Sequence, residues 1–157
     1  MDRYVDKQEH FEDFNNPCFV VCPKCSECAK VSIIPEEEKG WFAPRRLVCL
    51  KCTHRDTWTD SSISRLWRRE GKDDHFNLPL WIQASCGKNM LFAYNKEHLK
   101  FLESYVSANL RQRSRDTEYG WSNRSAASRL PEWVKSRKNR DRVLKTIKKL
   151  WLIAGNT

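Results

Sequence analysis

Four of the seven cysteines in this 157-residue chain fall into two pairs, Cys22-Pro23-Lys24-Cys25 and Cys49-Leu50-Lys51-Cys52, with residues 26–48 between them. A C-x-x-C turn brings two sulfurs onto one side of a tight loop. Two such turns at this interval supply four thiolates, the donor set of a tetrahedral Zn2+ site with bonds of about 2.3 Å. All four ligands would come from protein, leaving no position for a reacting water, so the ion expected here is structural rather than catalytic. Cys18, Cys28 and His54 lie close enough in sequence to replace a ligand, but the paired turns favour Cys22, Cys25, Cys49 and Cys52.

The elements that must carry these turns are short strands. Phe19-Val20-Val21, Val31-Ser32-Ile33-Ile34, Leu47-Val48 and the alternating run Thr53 to Thr59 are apolar or β-branched segments flanking the cysteines. Pro23 fixes φ inside the first turn. Two hairpin-borne knuckles sharing one metal make a zinc ribbon. Pro35 to Gly40 is a charged turn within it, and Trp41 and Phe42 follow. Residues 1–16 read as a short helix or loop that packs Phe11 and Phe14 on the ribbon.

Beyond the ribbon the period changes. Ile63, Leu66 and Trp67 face away from Arg65, Arg68 and Arg69, as in a surface helix. Gly71 to His75 reads as a polar linker, dividing the chain into a ribbon module (1–70) and a hairpin-plus-helix module (71–157). Leu78 to Ala84 and Met90 to Tyr94 form a hairpin around a turn at Ser85 to Asn89, with Cys86 a spare thiol in the turn. Asn95 caps a helix whose stripe Leu99, Leu102, Val106, Leu110 continues to about Arg113, with His98 on its surface. A polar loop with Trp121 follows, then a helix start at Pro131. A final amphipathic helix, capped by Asn139, turns Val143, Leu144, Ile147, Leu150 and Trp151 inward. The fold class is α+β.

The cysteine turns resemble the TFIIB-type ribbon shared by transcription factors, RNA polymerase subunits and small bacterial proteins. The run Leu78-Pro79-Leu80-Trp81-Ile82-Gln83, then Leu91 to Asn95 with His98-Leu99, Arg129-Leu130-Pro131 with Trp133, and Lys138 to Asp141, is similar to a bacterial family of such zinc-ribbon proteins. The resemblance covers most of the chain and implies the ribbon and its Zn2+, but no established activity.

Charge is unevenly placed. Residues 1–110 hold 16 Lys or Arg against 16 Asp or Glu, whereas residues 111–157 hold 13 against 4, so the whole excess of +9 lies near the C-terminus. Such polarity calls for an anionic partner. The expected contacts are Arg45, Arg46 and Arg55 on the ribbon, with Lys135, Arg137, Lys138, Arg140, Arg142, Lys145, Lys148 and Lys149 near the end. Nucleic acid is the first choice of partner. The alternative is an acidic protein surface, met by an adaptor or by an immunity protein that neutralises a toxin domain.

Other classes fall away. The aromatic content fills a core, against disorder. No apolar run approaches the length of a bilayer span and the first residues lack the pattern of a signal peptide, so a cytoplasmic protein with reduced thiols is expected. No Gly-rich phosphate loop, nucleophile-base pair or open metal site can be assembled from the scattered His10, His54, His75 and His98, so the expectation is a non-enzyme.

Overall fold

A computed structural model of the chain describes residues 3–7, 9–10, 13–34, 43–59, 71–108, 110–112, 125–155 and 157. Phe11, the turn at 35–40, Trp41, Phe42, the helix expected over 61–70 and Trp121 lie outside the described residues. The architecture is α+β. Strands β2 (Cys18–Val21), β3 (Cys28–Ile33), β4 (Arg45–Cys49) and β5 (Arg55–Trp58) form one antiparallel sheet in that order. Before them runs β1 (Arg3–Val5); after them come the hairpin β6 (Ile82–Cys86) and β7 (Asn89–Ala93), helix α1 (Lys96–Ser107), strand β8 (Leu110–Gln112) and helices α2 (Glu132–Lys135) and α3 (Arg140–Ala154).

The sheet obeys the period of two. Ala29, Val31 and Ile33 on β3 and Arg45, Leu47 and Cys49 on β4 turn to one buried face, while Lys30 and Arg46 point to solvent. The outer edge of β2 is not left open. Val21 N–H donates to Pro79 O (2.8 Å), and Trp81 N–H donates to Phe19 O (2.9 Å). Thus Pro79 to Trp81, expected in the hairpin, lies instead along the edge of β2, joined to it by an isolated bridge between Val20 and Leu80. The hairpin is correspondingly shorter and turns at Gly87-Lys88, where Gly87 takes φ +62°, a conformation that costs other residues a Cβ clash. Cys86 is not in that turn but buried at the end of β6.

The Gly71 to His75 segment also departs from its reading as a polar linker. Gly71, Asp73, Asp74 and His75 are all buried. The Asp73 carboxylate accepts the N–H groups of His75 (3.0 Å), Phe76 (2.8 Å) and Leu78 (2.7 Å), folding the chain back into the sheet. One apolar cluster runs from Val20 and Cys49 in the ribbon through Ile82 in the hairpin to Ile147 in α3. Among the described residues, this cluster includes side chains from both sides of residue 71.

Within residues 1–16, Arg3 to Val5 form a strand, and the other described residues of this segment are loop or turn as expected. Arg3 to Val5 pairs parallel with Leu110 to Gln112, which ends the α1 helix at Ser107 rather than near Arg113. Phe14 packs on α1, stacked on His98 (5.2 Å between centroids) and Phe101 (5.1 Å). Asn95 caps α1 as expected, accepting from His98 N–H at 2.9 Å, and its amide donates to Phe14 O and Pro17 O. Asn139 makes no such cap; its Nδ2 donates to Trp133 O at 2.9 Å. On α3, Val143, Ile147, Leu150 and Ala154 are fully buried at helical spacing. The first three each contribute about 1.5–3 kcal/mol of burial.

His98, read as a surface residue, is instead 1% exposed and stacked on Tyr94 as well as Phe14. Its Nδ1 accepts the Tyr94 N–H at 3.0 Å. Burial disfavours the imidazolium and brings its pKa down to about 3. The unfolded chain therefore binds a proton below pH ~6.5 that the folded chain refuses, so stability is lost as pH falls from ~6.5 towards 3. Urea unfolding of the wild type should lose about 2 kcal/mol between pH 7 and pH 5 from this group. His98→Gln, which keeps an acceptor but no basic nitrogen, should flatten that slope; an unchanged slope would assign acid lability elsewhere.

Candidate metal centre

The two cysteine turns are conformational copies. In the first, Ser26 N–H donates to Cys22 O (3.0 Å) and Cys22 N–H to Glu27 O (2.7 Å). In the second, Thr53 N–H donates to Cys49 O (3.0 Å) and Cys49 N–H to His54 O (2.9 Å). Each turn ends on a residue in the left-handed region, Ser26 at φ 64° and Thr53 at φ 65°. A non-glycine residue is costly there, and for a β-branched threonine more so. Both turns therefore keep a conformation that turns their sulfurs inward.

The sulfurs meet. Ligand atoms of Cys22, Cys25, Cys49 and Cys52 all lie within 4.8 Å of one another. Cys22 Sγ is 3.6 Å from Cys52 Sγ, and Cys25 Sγ is 3.5 Å from Cys49 Sγ. A tetrahedron with 2.3 Å bonds has edges of ~3.8 Å, so the donors stand where a four-coordinate ion needs them. Backbone dipoles help: Lys24 N–H points at Cys22 Sγ and Cys52 N–H at Cys49 Sγ, both at 3.4 Å. The N–H groups of Cys52 and Lys51 favour the thiolate of Cys49 and bring its pKa down to about 6. Four closely spaced cysteines of this kind can hold a metal ion.

The alternative ligands are set aside by position. Cys18 lies on β2, fully buried, and burial pushes its thiol well above the usual range. Cys28 sits on β3, where burial raises it to about 11, and it offers Cys49 only a backbone carbonyl. His54 contributes its carbonyl to the second turn; the four sulfurs make the cluster without its ring.

The expected partner contacts divide into three groups. Arg45 is 1% exposed and cannot reach a partner: its guanidinium donates to Asn15 O at 3.0 Å, with Asp74 and Asp73 close enough to favour its charge. Lys135 and Arg140 are half-buried and donate to the carbonyls of Ser128 (2.7 Å) and Ala108 (2.8 Å), closing the fold rather than facing out. Arg46, Arg55, Arg137, Lys138, Arg142, Lys145, Lys148 and Lys149 are exposed.

Arg142, Lys145 and Lys149 follow one another at three- and four-residue steps along α3. Among the described residues none of these, nor Lys148, has an ion-pair partner. The Arg142 guanidinium lies against Gly87, 3.0 Å from where a Cβ would sit. That places exposed Lys88 of the β6–β7 turn beside the helix, a charge with no sequence signal because the two segments lie over 50 residues apart. No helix among the described residues is long and apolar enough to cross a membrane. No protein-family model matches the chain, and neither curated proteins nor solved structures yielded a match.

Proposed function

We propose that the four cysteines hold one zinc ion in a structural role, and that the chain is a non-catalytic bacterial zinc-ribbon protein of the TFIIB type that binds nucleic acid through α3. A closed set of four thiolates suits zinc and leaves no coordination site for chemistry. The observation that carries the binding reading is the two-sided character of α3. Its Val143, Ile147, Leu150 face is anchored in the core, while Arg142, Lys145, Lys148 and Lys149 stand exposed and unneutralised by described acids. A charged face on an immobilised helix loses little freedom on binding, and phosphates are the commonest ligand for such a surface.

The test is affinity for a labelled DNA or RNA oligonucleotide across a series of salt concentrations. Binding should weaken steeply with salt, and K145Q/K148Q/K149Q should bind at least about tenfold more weakly, with a salt slope shallower by roughly 2–3. Unchanged affinity and slope in that variant would remove α3 as the binding face.

A second reading, a protein-binding adaptor or immunity protein that covers an acidic surface, draws on one observation. Leu50, at the tip of the second knuckle, is 84% exposed, with Lys51 beside it and Pro23 and Lys24 exposed on the first knuckle. A stoichiometric protein complex that survives nuclease and is lost with Leu50→Asp would favour this reading.

A further inference from the structure

A groove of about 840 Å³ runs between β1 and the first half of α1 and is closed at one side by Trp151 of α3. Its floor is aromatic, made by buried Tyr4, Phe14 and Phe101. Two walls offer apolar surface: Val5, 41% exposed, and the half-buried ring of Trp151. The Trp151 ring is held in place, since its Nε1–H donates to Glu103 Oε2 at 3.2 Å across the two helices. Around the rim stand Arg3, Lys7, Lys96 and Lys100, all exposed, against two acids, Glu9 and Glu97.

The groove is continuous with the basic face already described. Lys148 lies one turn before Trp151 on α3, so the two side chains share a flank of that helix. Lys145 and Lys148 lead along that flank to Trp151, whose ring is hydrogen-bonded to the Glu103 carboxylate, and Lys100 and Lys96 line the groove on the α1 side. A flat ring in a basic setting beside an apolar floor is the arrangement that binds an unpaired base with its phosphates. A duplex offers it no free base face, because its bases are already stacked on one another and paired.

Building on the nucleic-acid reading, we propose that this groove takes a single-stranded nucleic-acid segment, with a base against Trp151 and Val5 and the flanking phosphates on Lys96, Lys100 and Arg3. Its volume lies within the range of about 300–1,000 Å³ usual for small-ligand sites and accommodates a nucleotide. The zinc-loaded full chain should therefore prefer a single strand to a duplex of the same length.

The experiment compares a labelled oligothymidylate of about twelve nucleotides with the matching duplex, by fluorescence anisotropy. Trp151→Ala should weaken single-strand binding by about 5- to 150-fold, the loss of one stacked base. Because that residue also packs in the fold, K96Q/K100Q provides a surface variant: it should weaken the single strand several-fold and leave duplex binding nearly unchanged. The groove assignment is overturned if K96Q/K100Q leaves single-strand affinity unchanged while K145Q/K148Q/K149Q weakens both probes; the nucleic-acid reading then stands alone. If neither probe binds the wild type, both ideas fall.

Discussion

Cys22→Ser should release the metal and unfold the chain well beyond the knuckle. A zinc site of four thiolates couples about 10 kcal/mol or more of binding free energy to folding. The whole stability of a domain this size is about 5–15 kcal/mol, so loss of the ion leaves little. The unfolding should spread because Cys22 and Cys49 belong to the same buried cluster as Leu80, Ile82 and Ile147. Zinc content should fall from about one per chain, near-ultraviolet dichroism from the core tryptophans should collapse, and a chelator should reproduce both effects on the wild type. Cys28→Ser and Cys86→Ser, whose own sulfurs lie outside the four-sulfur cluster, should retain the ion. Acidification should release it as well, since protons compete for the thiolates. Should Cys22→Ser keep both its zinc and its thermal midpoint, the ligand set proposed here is incorrect.

Arg45→Met is expected to cost about 3–5 kcal/mol, although arginine substitutions on ribbon strands are usually mild. The guanidinium is 1% exposed and sits where burial works against its charge, offset by the Asp74 and Asp73 carboxylates. Asp74 in turn takes a 3.4 Å hydrogen bond from Tyr94, and both it and Asp73 are buried. Removing the cation leaves these carboxylates without compensation and also deprives Asn15 O of its donor. Methionine fills most of the volume, so the loss reports charge rather than a cavity. Chemical denaturation of Arg45→Met, Asp74→Asn and the double variant forms a cycle, in which the double should be markedly less destabilised than the sum of the singles. A single-variant cost below about 1 kcal/mol would mean that Arg45 is not the counter-charge of this pocket.

The burial of Arg45 is legible in the period of its strand. Arg45, Leu47 and Cys49 alternate with Arg46 and Val48, so the parity that turns Cys49 inward turns Arg45 inward with it. Of the two adjacent arginines expected to meet a partner, the alternation leaves only Arg46 outside. The burial of His98 has a weaker local signal, because Asn95 needs only its backbone N–H for the cap, and the ring is covered by Tyr94 just before the helix and by Phe14 from a distant segment.

Features that depend on short-range spacing were legible along the chain. The four-cysteine cluster, the strands beside it, the Asn95 cap and the inward stripe of α3 follow from turns and from periods of two and 3.6, which need no knowledge of distant residues. The remaining features arise from packing between distant segments. The parallel pairing of Arg3 to Val5 with Leu110 to Gln112, the capture of Pro79 to Trp81 by β2, the burial of Asp73 to His75 and the groove closed by Trp151 join segments tens of residues apart. Charged residues looked alike in sequence, yet burial and carbonyl contacts withdrew Arg45, Lys135 and Arg140 while leaving Arg142, Lys145, Lys148 and Lys149 outside. Local pattern sets which way a side chain turns within its own element. Whether water or another segment lies in that direction depends on packing between elements, and that is what separates a structural cation from one free to meet a partner.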